Sequence, residues 1–289
     1  MKRILLIFVL TFILQSSYSQ SQEAAAYEVD EFNLWNKQIG DTAYVFADQA
    51  YLRDAPSLNG KIIDSLVHGT PVYIKSEAYN PSTIRGFKAP WQKISYLYDN
   101  KYKEGFIWLG LLDLGHNKNN KSLNFIHGFL RFEKGTSYSE PTYLLEIKCM
   151  DNNNLIARNY YPVSLNGQTY TDSKILPNMG LSNLESIHRI GFLGEACGIA
   201  STHYYFSWNG QNFETMFQKS SVGDAGVYYY EETILFPSEH NLGANLIIKD
   251  IEEGEVIDEY VSEPKYKKTR KREKYYWDGK HAAQVIEMK

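Results

Sequence analysis

The candidate nucleophile of the sequence is the thiol of Cys197, which lies in the segment Gly194-Glu195-Ala196-Cys197-Gly198, with His203 six residues further on. A cysteine nucleophile needs its general base within hydrogen-bond distance. Six residues of extended strand span roughly 20 Å, so the two side chains meet only if the chain folds back between them. His188 and His240 are the alternative bases. We expect Cys197 to be a core or disulfide cysteine, and we predict no catalytic residue.

Metal and phosphate sites lack their usual patterns. The seven histidines are dispersed, with no His-x-x-x-His or Cys-x-x-Cys pair. There is no acidic calcium loop and no glycine-rich phosphate loop after a strand. Glu231 and Glu232 are adjacent, and adjacent side chains point to opposite faces of a strand. The sequence therefore predicts no metal site, no cofactor and no pair of carboxylates for glycoside hydrolysis.

The first 19 residues have the layout of a secretory signal peptide. Lys2 and Arg3 precede an apolar run at 4–14, and the small residues Ser17 and Ser19 end the segment. A membrane-spanning helix needs about 20 apolar residues, so this run is too short to be one. We predict cleavage after Ser19 and a soluble protein in the periplasm or at the cell surface.

The charge and composition of the chain restrict which partners and which fold class are expected. Removal of residues 1–19, which carry two basic residues and no acidic one, would lower the net charge from −4 to −6. A nucleic-acid-binding surface is basic, so we expect no nucleic-acid partner, and no later segment is apolar enough to span a membrane. Aromatic residues, 15% of the chain, suit the pleated surface of a sheet. The remaining length of about 270 residues exceeds one typical domain, so we predict an all-β protein with two domains.

The first domain is predicted at residues 42–114, after a polar lead-in at 20–41. Short apolar runs alternate with turn residues about every ten positions, which indicates a small barrel or sandwich. Several features occur in a fixed order: an arginine and a Pro-Ser pair, a Gly-x-x-Val turn, a tryptophan that opens a strand, and a Gly-aromatic-aliphatic run. These are Arg53, Pro56-Ser57, Gly69-Thr70-Pro71-Val72, Trp91 and Gly105-Phe106-Ile107. Together they resemble a bacterial SH3 domain.

The resemblance implies an attachment module that binds cell-wall peptides or glycans through aromatic and polar groups in a shallow groove. The predicted ligand-binding residues are Tyr96, Tyr98, Trp108 and Arg53. Packing in the barrel core is the alternative role of the aromatic residues and the one expected for Trp91. The alternative role of Arg53 is to hold a turn through backbone carbonyl groups.

Two insertions relative to that family define the expected groove. One follows Ile74 and the other follows Tyr98, and we predict that both lie on one rim of the barrel. Tyr96 and Tyr98 are two positions apart and therefore share a strand face. We predict that they form an exposed aromatic platform on that rim.

The second domain is predicted at residues 122–289, after a polar, strand-poor boundary at 116–121. Asn-Gly and Asp-Gly pairs within 165–168, 208–211 and 277–280 predict hairpins with type I′ turns. We expect a larger antiparallel sheet, as a sandwich or a partial propeller.

The charge of the C-terminal segment changes sign, with seven acidic residues at 250–263 and seven basic residues at 265–274. A basic run can bind nucleic acid or anionic lipid, but the acidic run before it favours an antiparallel hairpin with paired charges or a long solvated loop.

The two cysteines of the chain belong to this second domain. Tyr143, Leu145, Ile147 and Cys149 occupy alternate positions, which predicts one buried strand face. In an oxidising compartment Cys149 and Cys197 form a candidate disulfide. Two unpaired thiols are the alternative.

Three classes of function are compatible with the sequence. We expect an exported, non-catalytic binding module whose ligand is peptidoglycan or another envelope component. The alternatives are a structural or assembly protein that binds an envelope protein, and a cell-wall hydrolase, because bacterial SH3 domains often accompany cysteine peptidases.

Overall fold

The computed structural model describes residues 34–137, 139–258 and 265–286. These residues form antiparallel β-sheets joined by turns and two short 3-10 segments, with no α-helix among them. The all-β prediction is confirmed. The predicted signal peptide at 1–19 and the lead-in up to residue 33 lie outside the described residues.

The first sheet contains seven strands. Six of them lie in the order β1-β4-β6-β7-β2-β3, and the seventh, β5, pairs with the N-terminal part of β6. It covers most of the region predicted as the first domain. Its strands are β1 Thr42–Tyr44, β2 Gln49–Arg53, β3 Ile62–Val67, β4 Pro71–Ile74, β5 Tyr79–Ile84, β6 Phe87–Tyr98 and β7 Lys101–Trp108.

The insertions after Ile74 and after Tyr98 are strands rather than loops. The first forms a hairpin of β5 with β6, and the second lengthens the hairpin of β6 with β7. Their turns lie at opposite ends of β6, which is 12 residues long and spans up to about 40 Å at 3.3 Å per residue. The prediction that both insertions share one rim is therefore wrong.

The second sheet is a four-stranded meander in the order β11-β10-β9-β8. It begins inside the segment predicted to be strand-poor, because residues 115–118 pair with 124–127 as an antiparallel strand. The strands are β8 Gly115–Lys118, β9 Asn124–Glu133, β10 Thr142–Asp151 and β11 Asn154–Val163.

The third sheet is an eight-stranded meander in which each strand pairs with the next along the chain, from β12 to β19. The strands are β12 Tyr170–Pro177, β13 Ser186–Leu193, β14 Ser201–Trp208, β15 Phe213–Asp224, β16 Tyr228–Leu235, β17 Leu246–Asp258, β18 Lys265–Trp277 and β19 Ala282–Gln284.

One buried cluster crosses the expected domain boundary, running from Leu34 through the first sheet to Phe213. Aromatic rings join the second sheet to the early strands of the third: the ring centroids of Phe125 and Trp208 are 5.6 Å apart, and those of Tyr161 and Tyr204 are 5.1 Å apart. The first sheet thus shares its apolar core with the second and third sheets.

The three predicted turns differ from a two-residue type I′ loop. The loop around Gly167 joins β11 to β12, which belong to different sheets. The other two do form hairpins, through the four-residue loops 209–212 and 278–281. In each, the first side chain, Asn209 or Asp278, accepts hydrogen bonds from the third and fourth backbone N–H groups of the loop. These loops are stabilised by hydrogen bonds to the side chain of their first residue. A type I′ turn would instead require a positive φ at its first central position.

Candidate functional site

The two tyrosines predicted as a platform have different environments. Tyr98 is 52% exposed, but Tyr96 is 2% exposed and its hydroxyl donates to the carboxylate of Asp64. Burial and this hydrogen bond raise the pKa of Tyr96. Both residues lie on the same strand face, as expected, but only Tyr98 lies beyond the edge of the core. The predicted platform of two exposed rings is therefore wrong.

The tryptophans of the first sheet are core residues. Trp108 is fully buried, and its Nε1 donates to the carbonyl oxygens of Ala89 and Ser82 at 2.8 and 3.0 Å. Trp91 is also buried, and its Nε1 donates to Oγ of Ser82 at 2.8 Å. A ligand at the surface cannot contact Trp108, so the prediction that Trp108 binds a ligand is wrong.

Arg53 lies at the end of β2, where its guanidinium donates to the carbonyl oxygen of Gly60 at 2.6 Å. This bond closes the turn between β2 and β3. The turn-holding role is confirmed, while the side chain stays partly exposed next to Phe106, its partner in the register of β2 with β7.

The face of β4–β7 opposite Tyr96 and Tyr98 carries a row of apolar side chains, here named the aromatic strip. Its members are Tyr73, Tyr79, Leu97, Tyr102 and Phe106. The first four have between 37% and 66% of their surface exposed. Ring centroids of Tyr73 and Tyr102 are 6.1 Å apart, and those of Tyr79 and Phe106 are 5.6 Å apart. Exposed apolar side chains that lie together in this way are typical of interaction surfaces.

Strand register explains why the strip forms. Leu97 of β6 pairs with Tyr102 of β7, while Tyr73 of β4 pairs with Ser95 two positions earlier in β6. Residues paired in register, and residues two apart in one strand, share a face of the sheet. The inward positions between them, such as Ile94, fill the core.

Polar groups lie within the strip. Lys93 and Glu104 form an ion pair across β6 and β7. Glu104 is opposite Ser95, and Lys93 is opposite Phe106. The segment of β6 from Lys93 to Leu97 is about 13 Å long. Aromatic faces with interspersed donors and acceptors suit an extended ligand that contains both apolar and polar groups.

A group of charged and polar side chains is buried where the first and second sheets meet. Asp113 is fully buried, and it accepts a hydrogen bond from Nδ1 of His116 at 2.7 Å and one from the backbone N–H of Tyr44 at 2.9 Å. The ammonium group of Lys37 is 3.5 Å away. Burial raises the pKa of Asp113, but the charge of Lys37 and the bond with His116 outweigh it and bring the pKa to about 2. Because its oxygens contact groups from three segments, this carboxylate ties the lead-in and the two sheets together.

A small pocket opens beside this buried group, between the lead-in and β12. Its volume is about 390 Å³, and its lining includes Lys37, Asp41, His116 and Tyr170. Nearby His127 is fully buried, and burial lowers the pKa of its imidazole to about 3. The Asp113 carboxylate has its polar partners within the protein, so we assign this group a structural role.

The two cysteines are not joined. Cys149 is buried in β10, where burial raises its pKa to about 12, whereas Cys197 is exposed in the loop between β13 and β14. The predicted disulfide is therefore absent, while the predicted buried face of Cys149 is confirmed. Cys197 is therefore neither a core nor a disulfide cysteine, and that prediction is wrong.

The Cys197 loop also lacks the arrangement of a thiol nucleophile. Within the described residues, no histidine forms a hydrogen bond with Cys197. His203 instead faces Asp172, with 3.6 Å between Nε2 and the carboxylate, and burial lowers its pKa to about 4. The loop and β15–β16 enclose a groove of about 580 Å³.

Two further findings concern other kinds of site. Throughout 34–137, 139–258 and 265–286, no cluster of three or more His, Cys, Asp or Glu side chains is placed to hold a metal ion. In the same residues, no helix is long and apolar enough to cross a membrane.

Comparisons with protein-family models, with curated proteins and with solved structures find nothing that matches this chain. The resemblance to bacterial SH3 domains therefore stays a prediction from the sequence motifs.

The aromatic strip was missed by the sequence analysis, although a signal for it was present. Tyr73 lies between the apolar residues Val72 and Ile74, and Leu97 lies between Tyr96 and Tyr98. Period-two alternation assigns each to the face opposite its neighbours. The alternation did not reveal which face the core covers.

Proposed function

We propose that the protein is an exported, non-catalytic binding module that attaches to the bacterial cell wall through the aromatic strip. The proposal rests on one observation: four exposed apolar side chains lie on one face of β4, β5, β6 and β7 and surround an ion pair. The predicted signal peptide and the resemblance to bacterial SH3 domains support an envelope location and a wall ligand.

The chemistry of the strip fits a cell-wall polymer. Sugar rings and short peptide stems present apolar faces edged by hydroxyl, amide and carboxyl groups. Tyr73, Tyr79 and Tyr102 offer ring faces for the apolar parts, while Lys93 and Glu104 offer a donor and an acceptor. Tyrosine also provides a large contact area at a low cost in side-chain entropy.

The proposal is tested by co-sedimentation of the purified protein with isolated peptidoglycan. Wild-type protein is expected in the pellet. Replacement of an aromatic side chain that contacts a ligand costs about 1–3 kcal/mol, so Tyr102→Ala should weaken binding about 5- to 150-fold. The double variant Tyr73→Ala/Tyr102→Ala should abolish retention while leaving the melting temperature close to that of the wild type, because both side chains are exposed.

Tyr98→Ala is the matched control because it removes a tyrosine of similar exposure from the opposite face of the same hairpin. Tyr160→Ala removes a half-exposed tyrosine from β11, far along the chain from the strip. Both controls should bind like the wild type. Weakened binding by Tyr98→Ala alone would assign the ligand to the other face, and failure of the wild type to sediment would exclude a wall ligand.

A further inference from the structure

The outer edge of β18 is open along most of its length. On one side, β18 pairs with β17 from Lys265 to Tyr276. On the other side, β19 covers only Tyr275–Trp277. Within the described residues, no strand pairs with the outer edge of β18 between Lys265 and Glu273. An open edge of this length is a template for an added strand.

Two hydrogen bonds establish which backbone groups the edge presents. The N–H of Trp277 donates to Asn245 on the β17 side, and the carbonyl oxygen of Lys274 accepts from Val285 on the opposite side, each at 2.8 Å. In an antiparallel ladder, successive residues direct these groups alternately to the two sides. The register of β17 with β18 is continuous through this stretch. The N–H and C=O groups of Lys268, Arg270 and Arg272 therefore point outward from the edge.

The side chains of β18 are strongly basic. The strand carries seven Lys and Arg residues and a single acidic residue, Glu273. The acidic residues that balance this charge lie behind it on β17: Asp250 pairs with Arg272 at 2.6 Å, and Glu252 pairs with Arg270 at 2.7 Å. A strand added outside β18 would lie about 4.8 Å from the basic strand and about 10 Å from the acidic one. Three of the seven basic side chains of β18, those of Lys268, Arg270 and Arg272, form ion pairs with two carboxylates of β17, so the strand next to the added one carries more basic groups than the carboxylates that pair with it.

The same charge distribution decides between possible occupants. Pairing of β18 with β18 of a second copy would bring two basic strands together, and like charges on neighbouring strands are destabilising. We propose that this edge binds an extended acidic segment of a protein partner by strand addition. Backbone hydrogen bonds at Lys268, Arg270 and Arg272 would supply affinity, and the basic side chains would select acidic sequences. This inference concerns the third sheet and is independent of wall binding by the first.

The test measures fluorescence anisotropy of a labelled octapeptide, (Glu-Val)4, with the purified protein, and uses (Lys-Val)4 as the opposite-charge control. The acidic peptide should bind at least tenfold more tightly than the basic one. Arg270→Ala and Arg270→Pro both remove the charge, but only proline also removes the outward N–H group. Because that N–H does not bond to β17, proline should be tolerated at this edge position.

The expected result is a loss of a few-fold in affinity for Arg270→Ala and a further loss of at least tenfold for Arg270→Pro. Equal effects of the two variants would overturn strand addition, because they would indicate binding by surface charge alone. Equal binding of the two peptides would overturn the acidic partner, and a dimer of the wild type that Arg270→Pro dissolves would assign the edge to a second copy. Arg272→Ala and Arg272→Pro repeat the comparison at the next outward position if Arg270→Pro alters the melting curve.

Discussion

Two groups of charged residues in this protein contain similar ion pairs in opposite surroundings. The first, here named the buried network, joins β10 to the segment that follows β1: Lys148 donates to the carbonyl oxygen of Phe46 at 2.7 Å and to Asp48 at 2.9 Å. Glu146 lies 3.5 Å from Lys148 and 3.3 Å from Arg158. The second, the hairpin ladder, pairs Asp250 and Glu252 of β17 with the basic residues of β18.

The two groups differ in how far their side chains are buried. The side chains of Glu146 and Lys148 have at most 1% of their surface exposed, whereas Asp250 and Arg272 keep 37% and 50%. Removal of one partner from a buried pair leaves an uncompensated charge in a medium of low polarity, but an exposed ion returns to water. We therefore expect similar contacts to contribute very differently to stability.

The largest effect is expected for Lys148→Met, which keeps the length of the side chain and removes its charge. The variant removes one of the two cations that contact the buried Glu146 and leaves only Arg158, and breaking a buried pair costs about 3–5 kcal/mol. The free energy of unfolding from urea titration should fall by this amount.

The double variant Glu146→Leu/Lys148→Met sharpens the same test, because it removes both charges. It should recover most of the lost stability, since buried ion pairs and well-packed apolar residues are often nearly equivalent. A double variant as unstable as Lys148→Met would contradict this explanation and would assign the loss to the bond between Lys148 and Phe46.

An intermediate effect is expected for His188, a buried titratable group with no countercharge in contact. Its ring packs against Phe125 with centroids 4.1 Å apart, and burial, followed by the charge of His127, lowers its pKa from 6.5 to about 3. Between pH 6.5 and about 3, the unfolded chain therefore binds a proton that the folded protein excludes. Stability is fully present above this window and falls with pH, by up to about 1.4 kcal/mol per pH unit for one such histidine.

His188→Gln removes this titration and leaves the other groups in place. Urea titrations of both proteins at several pH values between 6.5 and 4 should give a slope that is smaller in the variant by about 1.4 kcal/mol per pH unit. Because the comparison is a difference, the raised pKa of Glu146 affects both proteins alike. Identical slopes would show that the imidazole is protonated in the folded state.

The smallest effect is expected for Arg272→Ala on the hairpin ladder. An exposed ion pair contributes about 0–1 kcal/mol, and salt screens it. The variant should unfold within 1 kcal/mol of the wild type by urea titration, with the difference shrinking further in 1 M salt. A loss comparable to that of Lys148→Met would mean that exposure is not what distinguishes the two groups.

Several features followed from the sequence alone because they depend on local chemistry. The alternation of Tyr143, Leu145, Ile147 and Cys149 identified a buried strand face. The Asn-Gly and Asp-Gly signals after Trp208 and Trp277 located two hairpins, even though the turn type differs. The change from acidic to basic residues located the segment of β17 and β18 but left a hairpin and a loop open, and the structure forms the hairpin with opposite charges side by side.

Other features were decided by the tertiary structure, because they depend on what covers each strand. Period-two alternation places Glu146 and Lys148 on the polar face of β10, yet the segment at Phe46 packs on that face and buries it. Likewise, Tyr96 and Tyr98 are equivalent by alternation, and only their distance from the core edge makes one buried and the other exposed. A strand pattern defines two faces from local spacing, but packing of distant segments determines which of them is left to bind a partner.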